Sequence, residues 1–223
     1  MPDTDQAVPS PAALGDVLLD ARRAGFLGPG PIEPHLEHAA GFVDLARRQA
    51  VRSGAGAPLI LDLGSGGGLP GLVIAMRWPA TTLVLLDANE RRAEFLQRAV
   101  RRCGLGERVT VVHQRAEVGG RDPEYRGTFD GVVVRSFGAP AVVAECGAPF
   151  LRQGGWLIVS EPPGASDENG HRDRWPADGV AQVGLEPGEF VREGFGYQVL
   201  HQREACPERF PRRNGVPAKQ PLF

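Results

Sequence analysis

From residue 59 onward, short runs of consecutive apolar residues alternate with segments whose apolar positions recur every three or four residues. The runs are LILDL (59–63), TLVLLD (82–87), RVTVVH (108–113), DGVVVR (130–135) and WLIVS (156–160). A strand apolar on both faces must be covered on both, so these runs predict a parallel sheet sandwiched between helices. The periodic segments place helices at about 70–78, 90–103 and 139–151, while the crossover 114–129 reads mostly as loop. Upstream, Leu14–Phe26 is amphipathic and is closed by the breaker run GPGP at 28–31. Leu36, Ala39, Ala40, Val43 and Ala46 then recur at helical spacing, predicting a second helix that ends near Ser53-Gly54. After Glu161 the pattern weakens through Pro162-Pro163 and a polar stretch, and returns as one further strand at 196–203. The expected organisation is a disordered segment 1–13, a helical extension 14–57, an α/β domain 58–203 and an irregular basic tail 204–223. The fold class is α/β, a doubly wound and mostly parallel sheet with a short helical N-terminal extension.

Composition changes this picture only at a few points. The net charge of −2 argues against a general electrostatic grip on nucleic acid, but cations are grouped locally. Arg91, Arg92, Arg98, Arg101 and Arg102 share one predicted helix, and Arg209, Arg212, Arg213 and Lys219 lie in the tail. No apolar run approaches the roughly 18 residues needed to span a bilayer, so no membrane association is expected. The acidic, proline-containing start MPDTDQAVPSP lacks the basic and apolar regions of a secretory signal, which points to a cytoplasmic protein. Cys103, Cys146 and Cys206 are odd in number and widely spaced, and read as reduced thiols; no metal site is expected.

The chemistry concentrates in Leu59-Ile-Leu-Asp-Leu-Gly-Ser-Gly-Gly-Gly-Leu-Pro-Gly71, where a buried strand runs into glycines and a helix begins near Pro70. Glycines at 64, 66 and 68 allow a sharp turn and close approach of a ligand to the backbone. In a doubly wound sheet this is the carboxyl edge, where ligands bind. Two cofactors compete. Asp62-x-Gly64-x-Gly66-x-Gly68 is the form that accepts S-adenosylmethionine, with the acid facing its cationic methionine part. Gly66-x-Gly68-x-x-Gly71 also satisfies a dinucleotide fingerprint. Gly64-Ser65 separate that fingerprint from the strand, and a pyrophosphate sits poorly beside Asp62, so S-adenosylmethionine is favoured. Asp87 ends the second strand, where a carboxylate can accept both ribose hydroxyls; the competing role is to cap helix 90–103, which Asn89 could do instead. Glu117, after the third strand, lies where the adenine edge is expected.

On these residues the chain resembles the GidB/RsmG family, the small-subunit ribosomal RNA guanine-N7 methyltransferases. The resemblance rests on DLGSGGGLPG (62–71), LLDANERRAEFL (85–96), QRAEV (114–118), FDGVVVRSFG (129–138) and the tail RFPRRNGVPAKQPL (209–222). It implies a class I S-adenosylmethionine-dependent methyltransferase fold and small-subunit ribosomal RNA as partner. It places cofactor contacts on Gly64, Leu69, Ala116, Glu117 and Arg135. Two departures stand out. The family's Tyr-Asn-Leu-Thr-like stretch is missing from the N-terminal region. Ser160-Glu161-Pro162 replaces a Leu-Lys-Gly sequence, so Glu161 puts an anion where the family has a cation. It would repel phosphate there or accept a hydrogen bond from the target base. Arg209, Arg212 and Arg213 are the expected phosphate contacts.

Guanine N7 carries a free lone pair, so its methylation needs positioning rather than a base, and no catalytic residue is assigned. His35 and His38 share a helix face and read as a solvated polar surface; Trp78 and Trp156 read as core. A small-molecule or protein acceptor, and a non-catalytic relic that binds S-adenosylmethionine or RNA, remain as alternatives.

Overall fold

The computed structural model describes residues 11–163 and 174–223. The expectation of disorder at 1–10 lies outside the described residues, while Pro11–Ala13 already belong to the first helix. In chain order the elements are α1 (Pro11–Arg23), α2 (Glu33–Ser53), β1 (Leu59–Leu63), α3 (Gly71–Arg77), β2 (Thr82–Asp87), α4 (Glu90–Arg102), β3 (Val109–His113) and α5 (Ala116–Gly119). They continue as β4 (Phe129–Val134), α6 (Pro140–Gly147), a 3-10 turn (Ala148–Phe150), β5 (Leu151–Glu161), α7 (Ala177–Ala181), β6 (Leu185–Glu193), β7 (Phe195–Gln202) and α8 (Val216–Lys219).

These strands form one seven-stranded sheet in the order β3-β2-β1-β4-β5-β7-β6. β1 to β5 run parallel, and β7 is antiparallel to both its neighbours. The chain winds outward from β1 to β3 and then returns to β4 on the other side. A crevice therefore opens where β1 and β4 diverge, at their carboxyl ends.

Alternation along each strand splits the core in two. Ile60 joins one apolar cluster while Leu61 and Leu63 join the other, as the two faces of a strand require. The first cluster includes Val17, Leu18 and Ala21 of α1 with Leu72 and Leu96, so the N-terminal helices share the core of the sheet. Arg102 of α4 reinforces this, pairing with Asp16 at 2.8 Å and Asp20 at 3.0 Å.

Several boundaries differ from expectation, each for a local reason. The helix expected over 139–151 stops at Gly147, and β5 begins at Leu151, with Gly154 at φ 79° inside it. Gly154 and Gly155 sit within this strand, whose pairing with β4 shifts register. β6 escaped the reading because it is a half-exposed edge strand that contains Pro187 and shifts register against β7. The last twenty residues, expected to be irregular, include α8, and the crossover after β3 holds α5. Among the described residues no helix is long and apolar enough to cross a membrane. Cys103 and Cys146 are buried and Cys206 half-buried, all as free thiols; burial, with Glu117 and Glu145 nearby, pushes Cys146 up to about 12.

Candidate cofactor site

The loop after β1 is fastened before any ligand is considered. The amides of Gly64 and Ser65 both donate to the Leu86 carbonyl, at 2.8 and 3.0 Å, and Ser65 Oγ donates to the Asp62 carbonyl at 2.9 Å. Asp62 Oδ2 accepts from the Gly71 amide at 2.9 Å, anchoring the start of α3. A side chain at Gly71 would stand 2.6 Å from that oxygen and 2.4 Å from Leu85, so the contact demands glycine.

Asp87 ties β2 to the same loop. Its Oδ2 accepts from the Gly66 amide at 2.9 Å and its Oδ1 from the Asn89 amide at 2.8 Å. The helix cap is Asn89, whose side chain accepts from the Arg92 amide at 3.1 Å. Asp87 is thus free of capping duty, and each oxygen keeps one acceptor direction.

Around this loop lies a cavity of about 190 Å³ lined by the 64–67 backbone, Leu69, Arg92, Arg135, Ser136 and residues 26–28. The three alternating glycines serve different ends. At Gly64 (φ 76°) a Cβ would lie 2.6 Å from the Phe137 ring, and at Gly68 one would lie 2.4 Å from Leu72. At Gly66 (φ 54°) the nearest atoms, the Gly64 and Phe26 carbonyl oxygens, are 3.8 Å away, so a Cβ would meet ordinary contact without a clash. At Gly64 and Gly68 the space that a side chain would need is filled by the protein itself, whereas Gly66 lines the cavity without such a clash.

Arg135 follows β4 and reaches into the crevice. Its Nη2 lies 2.6 Å from His35 Nδ1, and its Nη1 is buried without a hydrogen-bond partner among the described residues. Asp62 is buried beneath the loop rather than on the cavity wall, and its Oδ1 also lacks a partner. Burial pushes its carboxyl up to about 7, against the opposing pull of the Gly71 amide and Ser65, with the Asp87 charge adding to the rise. The unfolded group loses its proton near 4 while the folded one keeps it until about 7. Its contribution is thus most favourable below pH 4 and is lost as pH rises to about 7. Asp62→Asn should accordingly melt higher than the native chain at pH 8 without ligand, with the gap closing near pH 4.5. Parallel melting curves across that range would contradict this.

The other expected residues lie apart from the cavity wall. Ala116 and Glu117 sit in α5 beyond β3, next to the strand that carries Asp87. Glu117 Oε1 accepts from the Gly215 amide of the tail at 2.7 Å. Burial would raise this carboxyl, but the Gly215 amide and Arg115 outweigh it and hold it below its ordinary value.

Two of the expected RNA contacts are corrected by the structure. Glu161 is buried, accepting from Arg174 Nε at 2.6 Å and from the Trp175 indole at 2.7 Å, so it is compensated internally and offers no free anion to RNA. Arg212 is committed to Glu145, a carboxylate with no exposed surface: its amide and Nε lie 2.8 Å from Oε1 and its Nη2 2.6 Å from Oε2. Arg209 and Arg213 remain exposed. Conversely, the reading missed Phe26, Leu27, Gly28, Arg92 and Ser136 on the wall. The breaker run GPGP marked a loop at 28–31, but only the packing of α1 against α4 brings it over the glycines. His35 and His38, expected on a solvated face, are half-buried: His35 meets Arg135 and His38 stacks on Phe195.

The family profile described as GidB, rRNA small subunit methyltransferase G, matches residues 41–180, more than half of the chain. The chain belongs to this family. Similar relatives carry the same name. One from Prochlorococcus marinus (strain MIT 9313) is 37% identical over 167 residues, covering 73% of this chain and 67% of its own. One from Rubrobacter xylanophilus is 31% identical over 217 residues, covering 92% of this chain and 80% of its own. The fold is also similar to an O-methyltransferase from Bacillus cereus solved in complex with SAH, at a TM-score of 0.57 and 18% identity, over 88% of this chain and 93% of that one. Family and fold together make the chain an S-adenosylmethionine-dependent methyltransferase.

Proposed function

We propose that this enzyme methylates N7 of a guanine in small-subunit ribosomal RNA, with S-adenosylmethionine held at the β1–β4 crevice. The observation that carries the cofactor placement is the Arg135 guanidinium: the residue lines the cavity, and one of its amino groups is buried without an acceptor among the described residues. A buried donor without a partner is costly, and the methionine carboxylate of the cofactor would satisfy it. Asp87, with one acceptor direction left on each oxygen, would take the ribose hydroxyls. Gly66, on the cavity wall, puts no side chain into the cavity. Asp62, Gly64, Gly68 and Leu69 shape and fasten this wall, and Ala116 and Glu117 are assigned to the adenine end beyond Asp87.

The bound cofactor supplies an electrophilic methyl group on a sulfonium. Guanine N7 presents its lone pair without losing a proton, so the residues of this chain need only bind, align and exclude water. RNA phosphate is assigned to cations that are exposed and enter no ion pair among the described residues: Arg91 and Arg101 on α4, and Arg209 and Arg213 in the tail. Arg213 lies two residues before the Gly215 amide that binds Glu117, close to the carboxyl edge of the sheet.

The test is methyl transfer to small-subunit particles and to free ribosomal RNA, with the product located by nuclease digestion and mass spectrometry. N7-methylguanine at one site is expected. Affinity for the RNA should fall steeply with salt, and Arg209→Ala with Arg213→Ala should reduce the slope of log K against log salt by about 2. A salt-independent interaction, or transfer to a small molecule or protein instead, would overturn the RNA assignment.

A further inference from the structure

The side chains that the methyltransferase reading leaves unused include His35 and His38 on α2. His35 touches the residue on which the cofactor placement rests. Arginine nitrogens only donate, and a guanidinium keeps its proton at any ordinary pH. At 2.6 Å from Arg135 Nη2, His35 Nδ1 must therefore present its lone pair. That fixes the ring as the neutral tautomer with its proton on Nε2. This is the only side-chain hydrogen bond that Arg135 makes among the described residues. The guanidinium is divided: one amino group is held by His35, and the other is buried without a partner in a residue that lines the cavity. A long side chain with several free torsions is oriented by a single imidazole.

We propose that His35 is a positioning residue for the cofactor, a neutral acceptor on the N-terminal helical segment that aims Arg135 at the methionine carboxylate. The proposal rests on the cofactor placement given above. It also explains why α2 belongs to the site: the helix contributes the acceptor that the end of β4 needs.

The surroundings keep His35 neutral. Burial, and then the charge of Arg135, lower its pKa, with the Gly28 backbone opposing. His38, one turn along, is pushed down to about 4 by burial, by Arg135 and by His35, and its ring stacks on Phe195 at 4.5 Å. Asp62 and Tyr197 act on this group through Arg135, and Glu33 and Glu37 on the same helix point to solvent. Protonation of His35 would set two cations against each other. Cofactor affinity should therefore fall as pH drops through a value below the ordinary histidine range.

The experiment is calorimetric titration of the full chain with S-adenosylhomocysteine at pH 8 and pH 5.5, on variants that melt as the native protein does. His35→Phe should weaken binding about tenfold at pH 8, the loss of one hydrogen bond to a charged group. In His35→Asn, Oδ1 stands where Nδ1 stood and accepts without titrating. It should bind nearly as the native chain does at pH 8 and lose less affinity at pH 5.5. Native affinity in His35→Phe, or an equal loss in His35→Asn and His35→Phe, overturns the positioning role. Arg135→Ala separates the two claims. If it leaves affinity unchanged, or if the native chain does not bind, the cofactor placement falls, and the role of His35 with it. If it weakens binding while His35→Phe does not, only the role of His35 falls.

Discussion

Arg212→Ala is expected to destabilise the protein by about 3 kcal/mol, the lower end of the cost of breaking a buried ion pair. Glu145 has no exposed surface and accepts three hydrogen bonds from Arg212, two of them from the guanidinium. Truncation leaves this carboxylate with one amide and no counter-charge. Arg212 also donates to the Gln220 carbonyl at 2.6 Å, so its loss loosens the tail around α8. The side chain of Arg212 is 27% exposed, so entering water relieves part of the penalty, which is why the lower end applies. For a chain of this size the melting temperature should drop by roughly 6–12 °C. Arg212→Ala combined with Glu145→Leu should recover part of the loss, because no buried charge is then stranded. Had Arg212 served only to bind RNA phosphate, the melting temperature would not move and only RNA affinity would suffer. Thermal unfolding of the two variants decides between these outcomes.

Asp87→Ala is expected to weaken S-adenosylmethionine and S-adenosylhomocysteine alike by about 1–3 kcal/mol each. The carboxylate is lost to the ribose, and the Gly66 and Asn89 amides lose their acceptor together, so the glycine loop is freed from the end of β2. Both effects act on the same ligand, which makes this the largest expected loss of cofactor affinity from one substitution. Asn89 still caps α4, so the helix should persist. Titration at a temperature where the variant is folded is the measurement. A lower melting temperature with unchanged affinity would confine Asp87 to a structural role.

What could be read along the chain was whatever depends on near neighbours. The strand LILDL, the glycines after it and the helix beyond lie within a dozen residues, and their apolar period and turn chemistry determine one another. Asn89 as the cap of α4 is equally local, since a cap bonds an amide three residues on. That the strands pair in parallel follows from their being apolar on both faces and separated by helices.

Other features required the folded chain. Nothing around His35 signals a partner 100 positions away, yet the fold brings the start of α2 to the end of β4, where the two meet. Arg212 looks like a basic tail residue until the fold brings it to Glu145, 67 positions earlier, and Gly215 meets Glu117 across 98 positions. Glu161 reads as an anion set against RNA until Arg174 and Trp175 return to it. In each case one charged residue carries the same local signal whether it faces solvent or a buried partner. Local pattern therefore specifies the class of fold and the cofactor loop, because periodicity and backbone geometry act over a few residues. Which charges are free to meet a ligand is decided only when the sheet closes, because desolvation and pairing depend on groups that the chain brings together from afar.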